Sequence, residues 1–151
     1  MKPASCVFPI LLVLLASCST KPEAIRYGKE ECQNCHMTIF NSRFGAEWIS
    51  ATGKAYKFDC VECLRTYLHA HALPQKGSRI YVTDFSRPGS WIPAPRAFYA
   101  RDSSFRSPMG GDIAAFATRG ELLALEPDRK DSLQDWSSIL NEPNSLIPYE
   151  K

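Results

Sequence analysis

Apolar and polar residues alternate along two neighbouring stretches in the first half of the chain. Residues 44–49 alternate with the period of a half-buried strand, and residues 54–58 repeat the alternation. The pair Thr52-Gly53 between them is a turn signal. Two strands joined by so short a connection are typical of a β-hairpin.

The period then changes to that of a helix. Apolar residues recur at helical spacing over residues 61–68, and Asp59 occupies the position expected for the N-cap. Pro74 ends this pattern, and residues 80–82 read as a further strand. The predicted order is therefore strand, strand, helix, strand.

A fainter version of the same order follows in the second half. Thr118 and Glu121 form a capping-box signature before a leucine-rich run. We therefore predict an α+β fold of two small ββαβ-type lobes, residues 32–86 and 87–140, with a weak internal repeat and a loose C-terminal tail, 141–151. The strand candidates of the second lobe are residues 91–92, 97–101 and 113–117, and its last helix is lined by Leu133, Trp136 and Leu140.

The N-terminal residues have the pattern of an export signal. Lys2 precedes a short apolar run, and Leu15-Ala16-Ser17-Cys18 resembles the lipobox of bacterial lipoproteins. We predict a signal peptide over 1–17, lipidation of Cys18, and a polar tether over 18–31. The protein is then expected on a bacterial envelope membrane, the outer membrane, facing the periplasm. The alternative is an ordinary signal peptide with a cysteine nearby.

The composition narrows the function classes. The 151 residues carry a formal net charge of only +2, which gives no indication of nucleic-acid binding. No Ser/His/Asp set or paired carboxylates suggest catalysis, so we predict that the chain is not an enzyme. Of six cysteines, Cys6 leaves with the signal peptide and Cys18 carries lipid. The other four form two Cys-x-x-Cys pairs.

Two thiols and a thioether lie close together in the sequence at the first Cys-x-x-Cys pair. Cys32, Cys35 and Met37 are soft ligands, which select Cu(I), zinc or iron–sulfur clusters over hard cations. In an extended chain Cys35 and Met37 point to the same side. Met109 lies on a Pro/Gly turn, where an apolar side chain is hard to explain as core filler. The methionines favour Cu(I) over zinc.

Other readings of the cysteine pairs stay open. Cys32-x-x-Cys35-His36 is also an attachment site for c-type haem, with Met109 as a candidate second axial ligand. The four thiols could instead form a structural zinc site with four cysteine ligands, or disulfides. Cys60 and Cys63, at the start of a helix, would suit a thiol–disulfide oxidoreductase.

An ordered set of short motifs extends from about residue 32 to residue 116. Taken in this order, the sequence resembles the NosL family of copper-binding lipoproteins. The resemblance implies a fold similar to organomercurial lyase. It also implies a Cu(I) chaperone that works outside the cytoplasm, through an ABC-type complex, in maturation of nitrous oxide reductase or a related copper enzyme of denitrification. The motifs are Cys32-x-x-Cys35-x-Met37 with Thr38-Ile39, Phe44-Gly45-Ala46-Glu47, Tyr56-Lys57-Phe58-Asp59 with Cys63 and Tyr67-Leu68, Val82-Thr83-Asp84-Phe85, Trp91-Ile92, and Ser107-Pro108-Met109-Gly110.

The chain departs from the family pattern at two positions. Many relatives carry a histidine after the Met-Gly of the methionine turn, where this chain has Gly111, and Cys60 is an addition. His36 is the nearest imidazole in sequence, whereas His69 and His71 are expected on the surface. The predicted Cu(I) ligands are Cys32, Cys35, Met37 and Met109, followed by Cys63 and Cys60, with His36 as a further candidate.

Overall fold

The computed structural model describes residues 21–72, 74–125 and 133–142. The predicted signal peptide, Cys18 and residues 143–151 of the predicted tail lie outside the described residues. No helix within the described ranges is long and apolar enough to cross a membrane.

Four antiparallel strands form the larger sheet. They are β1 (Ala46–Ile49), β2 (Ala55–Phe58), β3 (Arg79–Thr83) and β4 (Trp91–Pro93), and they lie in the order β2-β1-β3-β4. The predicted hairpin is confirmed, because β1 pairs with β2 in the register Ala46↔Phe58. One helix packs on this sheet and connects β2 to β3. This helix is α1 (Val61–Ala70).

Strand β1 is buried on both faces, not on one face as its alternation predicts. The second face is covered by residues 21–31, which the sequence pattern assigns to the tether. Ile25 of this segment is buried, and the backbone N–H of Glu23 donates to the Glu47 carboxylate at 3.0 Å. Burial raises the pKa of Glu47 to about 7. A polar residue in this strand therefore does not mark a solvent face.

Helix α1 begins one residue later than predicted. Its N-cap is Cys60, which makes no side-chain capping bond, so the assignment of Asp59 as the cap is wrong. The Asp59 carboxylate instead accepts hydrogen bonds from thiols, described below. Leu64 and Leu68 are fully buried, as their spacing predicts, and hold the helix against the sheet.

The second half of the chain builds a smaller version of the same topology. The two strands β5 and β6 pair antiparallel, and an isolated bridge joins Tyr99 of β5 to Gln134. The order β6-β5-Gln134 thus repeats the order β2-β1-β3, with a helix before the last member in each case. Its elements, after a short 3-10 turn at Ala94–Arg96, are β5 (Phe98–Arg101), β6 (Ile113–Phe116), α2 (Arg119–Leu125) and α3 (Trp136–Asn141).

Local signals in this half act as the sequence indicates. The predicted capping box at α2 is confirmed: Glu121 accepts from the Thr118 N–H at 3.0 Å, and the Glu121 N–H bonds the Thr118 hydroxyl at 3.2 Å. Phe85, Phe105 and Phe116 form an aromatic cluster between the halves, with centroids 5.0–5.9 Å apart. The fold is α+β with antiparallel sheets, as predicted.

A buried ion-pair network fastens the C-terminal helix to α1. The Arg65 side chain is 1% exposed and donates to Glu142 at 2.6 Å. Glu142 also accepts from Arg101 at 2.5 Å and from the Gln134 amide at 2.7 Å. One carboxylate therefore neutralises two guanidinium groups where the two halves meet.

Replacing Glu142 tests this network. Glu142→Ala leaves the buried Arg65 cation without its carboxylate, which typically destabilises a protein by about 3–5 kcal/mol. We expect a loss of this size in urea unfolding of the metal-free protein. Glu121→Ala, at an exposed cap, is the matched control and should cost about 1 kcal/mol. Equal losses for both variants would contradict the prediction.

Candidate metal centre

Both Cys-x-x-Cys pairs contribute thiols to one point of the structure, the first pair two and the second pair one. The Sγ atoms of Cys32, Cys35 and Cys63 and a carboxylate oxygen of Asp59 all lie within 4.8 Å of one another. Cys32, Asp59 and Cys63 are buried, and Cys35 is half-buried. We call these four residues the cysteine–aspartate cluster. Its size and donor types suit a metal ion.

A tight backbone loop presents the first pair. The Cys32 N–H donates to the Met37 carbonyl at 2.8 Å, and the His36 N–H donates to the Cys32 carbonyl at 2.9 Å. His36 adopts a φ of 61°, which turns the chain back on itself. The Gln33 N–H bonds the Lys57 carbonyl at 2.8 Å, which fixes the loop to β2. The loop is therefore preformed by backbone bonds.

The second pair comes from the start of α1. Cys63 hydrogen-bonds with Cys32, and the Asn34 amide donates to the Cys63 Sγ at 3.6 Å. Asp59 accepts from the Cys35 thiol at 3.6 Å and from the Cys60 thiol at 3.4 Å. The loop and the helix are thus joined through sulfur and carboxylate atoms. Among the described cysteines all four thiols are free.

The hydrogen bonds divide the thiols into unequal acids. The bond donated by Cys63 lowers the pKa of Cys32 from 9.0 to about 7, despite burial. The same bond, with a further one to Cys60, raises the pKa of Cys63. Burial is the main cause that raises the pKa of Cys35 to about 12, and burial also raises the pKa of Cys60. A metal ion must displace the remaining protons when it binds.

One methionine lies near the cluster, and the other follows a residue that lines the same depression. Met37 is 48% exposed, and it lines a depression of about 260 Å³ together with Asp59 and Pro108. Met109, next to Pro108, is partly buried against the core. The depression therefore connects the first cysteine loop to the methionine turn above a cluster residue.

The histidines contribute nothing to the cluster. His36 is exposed, and its ring nitrogens do not belong to the cysteine–aspartate cluster. His69 and His71 are exposed, as expected. The His69 ring bonds the Leu140 carbonyl at 2.6 Å, and the His71 ring bonds the Tyr67 carbonyl at 2.9 Å.

A buried carboxylate holds the methionine turn, residues 107–112, against α1. Glu62 is fully buried and accepts from the Ser107 hydroxyl at 2.6 Å and from the Ile113 N–H at 3.2 Å. The Ser107 hydroxyl in turn accepts from the Asp112 N–H at 2.8 Å. Because Glu62 adjoins Cys63 in the helix, the turn that carries Met109 is tied to the cluster.

Glu62 also explains why position 111 is a glycine. A Cβ on Gly111 would lie 2.6 Å from the Glu62 Cγ and Oε1 atoms, and the Gly111 carbonyl accepts from Arg101. No side chain fits here without displacing the carboxylate. A histidine, which the family resemblance leads us to expect at this position, would have no room beside the Glu62 carboxylate.

Sequence reasoning missed Asp59 and Glu62 as site residues. The sequence pattern assigns Asp59 as a helix cap and gives Glu62 no role. Their partners, the Cys35 thiol and the Ser107 hydroxyl, are 24 and 45 residues away in sequence. The available signal was the pairing of each acid with an adjacent cysteine, Asp59 with Cys60 and Glu62 with Cys63.

Comparisons with known proteins agree with this fold. Residues 25–126 match the family model of NosL. The crystal structure of the copper chaperone NosL from Shewanella denitrificans is similar, with a TM-score of 0.67 and 23% sequence identity. The match covers 82% of this chain and 98% of that one, and at this identity it shows the fold alone. No curated protein matches the chain.

The shared hydrogen bond between Cys32 and Cys63 predicts a pH dependence. In reduced, metal-free protein the first thiolate should appear with a midpoint near pH 7 in an ultraviolet absorbance titration. Cys63→Ala removes the donor, so the midpoint should move up toward 9. The pKa of Cys32 is lower in the folded protein than in the unfolded chain, so the Cys32 thiolate stabilises the fold above pH 9. This contribution to the free energy of unfolding should be lost as the pH is lowered from about 9 to 7. A midpoint unchanged by Cys63→Ala would contradict the assignment.

The contact between Gly111 and Glu62 predicts non-additive substitutions. Gly111→Ala should overpack the turn and cost about 1–3 kcal/mol of unfolding free energy. In a Glu62→Ala background the added methyl group has space, so the same change should cost measurably less. The check is a double-mutant cycle by urea unfolding. Additive losses would show that the two residues do not compete for this space.

Proposed function

Because the chain belongs to the NosL family, we propose that it is a copper chaperone that binds Cu(I) and transfers it to a recipient outside the cytoplasm. One observation carries the choice of ion: three sulfur atoms, from Cys32, Cys35 and Cys63, lie within 4.8 Å of one another, and Met37 lines a depression together with the cluster residue Asp59. Thiolate and thioether donors select soft ions. The proposal requires no acid–base catalysis.

In the proposed complex the thiolates of Cys32, Cys35 and Cys63 hold Cu(I). Met37 and Met109 supply thioethers at the outer edge, on the side of the depression. The oxygen of Asp59 is a hard donor, so its role is to accept thiol hydrogen bonds and to keep Cys35 oriented before the ion arrives. His36 is exposed and is not needed in this set.

Graded exposure of the ligands supports release by ligand exchange. Cys32 and Cys63 are at most 1% exposed, Cys35 is half-buried, and Met37 is 48% exposed. A sulfur from the recipient reaches Cu(I) first on the side of Cys35 and Met37. The ion can then pass through mixed intermediates while the buried thiolates still hold it. The buried ligands retain the ion, and the exposed ones allow it to leave.

The cellular setting rests on the sequence. The lipobox at Cys18 supports a lipid anchor on the periplasmic face of a bacterial envelope membrane, the outer membrane. The family resemblance supports an ABC-type maturation complex as partner and nitrous oxide reductase, or a related copper enzyme, as recipient. The chain is proposed to work by binding and transfer, not as an enzyme.

A structural zinc site is the second candidate. Three thiols and one carboxylate within 4.8 Å are also a donor set that zinc accepts in tetrahedral sites. Haem is less favoured because the Cys32 thiol bonds Cys63 inside the core and the neighbouring His36 is exposed. Zinc makes no use of the methionines, which gives a means of separating the two candidates.

Met109 distinguishes the ions. Met109→Ala should weaken Cu(I) binding by about tenfold or more, roughly 1.4 kcal/mol, and should barely change Zn(II) binding. The measurement is competition against a chromophoric chelator for each metal in reduced protein. Leu125→Ala, at an exposed side chain far from the turn in sequence, is the control. Equal losses for both metals would mean that Met109 only supports the fold.

The first cysteine pair should be essential for the proposed function. Cys32→Ser with Cys35→Ser removes two of the three thiolates and should abolish high-affinity Cu(I) binding. Cys60→Ser should retain a high-affinity site, because Cys60 does not belong to the cysteine–aspartate cluster. Chelator competition and melting temperature, with and without zinc, provide the test. If Cys60→Ser costs as much as the double change, a single four-thiol zinc site is the better description.

A further inference from the structure

The cysteine–aspartate cluster and the thiol of Cys60 beside it together offer more soft donors than one Cu(I) ion needs. Copper(I) accepts low coordination numbers, and Cys32, Cys35 and Cys63 already satisfy one ion. A fourth thiol, Cys60, is fully buried beside them. A buried thiol at a helix start could be simple packing. Its contacts, however, are with two members of the cluster and not only with apolar side chains.

Cys60 touches the cluster at two places. Its thiol donates to Asp59 Oδ1 at 3.4 Å, while Cys35 donates to the other oxygen, Oδ2, at 3.6 Å. It also hydrogen-bonds with Cys63, which at the same time bonds Cys32. Cys63 therefore lies between Cys32 and Cys60, and Asp59 lies between Cys35 and Cys60. Cys63 is thus the thiol that the cluster shares with Cys60.

We propose that the chain binds two Cu(I) ions, the second between Cys60 and Cys63, with the Cys63 thiolate bridging both ions. This inference rests on the proposed function, because it assumes that the first ion is Cu(I). Each ion that binds a protonated thiol forms one Cu–S bond and releases one proton to solvent. Copper stays in the Cu(I) state throughout, so no oxidant or reductant takes part.

The electrostatics of the α1 N-terminus favour a second cation–thiolate unit. The N-cap Cys60 makes no side-chain capping bond, so the first-turn N–H groups have no side-chain partner from the cap and favour negative sulfur. The carboxylates of Asp59 and Glu62 lie nearby and disfavour an extra bare thiolate. This repulsion is removed once a bound cation neutralises the sulfur. Cys60 therefore suits a copper-bound thiolate better than a free one.

Copper stoichiometry tests the second site. The full chain should carry Cys6→Ser and Cys18→Ser, so that only the four thiols of the domain bind copper. Titration of this reduced parent with Cu(I) against a chelator should show two equivalents bound. X-ray absorption should show a short Cu–Cu distance, since one sulfur bridges the ions. In Cys60→Ser and Cys60→Ala the second equivalent and the Cu–Cu signal should both be lost, and the first equivalent should remain.

The outcomes separate this inference from the function on which it rests. A parent that binds one equivalent, or a Cys60 variant that still binds two, would overturn the second site alone. A parent that binds no Cu(I) tightly would overturn both proposals. Circular dichroism of each variant, together with its retained first equivalent, shows that the fold is intact. Cys60→Ala preserves the apolar packing should Cys60→Ser unfold.

Discussion

The first turn and a half of α1 is the constraint on which the rest of the structure depends. Cys63 reaches the cysteine loop, Glu62 holds the methionine turn, and Arg65 pairs with Glu142 near the C-terminus. Three segments far apart in sequence are therefore fixed against one helix. Its N-terminal turn cannot shift without moving the thiols, the methionine and the last helix together.

The proposed copper carrier must also exist without its ion, so this arrangement has to be stable when the cluster holds no metal. Buried polar groups are costly unless they are paired. In the metal-free protein the thiols and Asp59 satisfy one another, through the bonds from Cys35 and Cys60 and the bond between Cys32 and Cys63. The cluster is preorganised, so in the proposed function the binding of copper would exchange protons for metal with little rearrangement of the chain.

Much of the fold could be predicted because its signals are local. The hairpin of β1 and β2, the helix α1 and the Thr118 capping box depend on spacing within a few residues. The burial of Glu47 could not be predicted in this way, because the segment that covers it comes from residues 21–31. Nor could the roles of Asp59 and Glu62, which depend on partners brought together only by the complete fold.

Under the proposed function, the glycine at position 111 leaves the methionine turn without an imidazole to offer to copper. With Gly111 fixed by Glu62, the methionine turn offers one thioether, and retention of the ion rests on thiolates. Thiolates hold Cu(I) more strongly than thioethers do, so release becomes the harder step. The half-exposed Met37 and the half-buried Cys35 then matter most, because they are the ligands that an incoming sulfur can reach and displace while Cys32 and Cys63 stay covered.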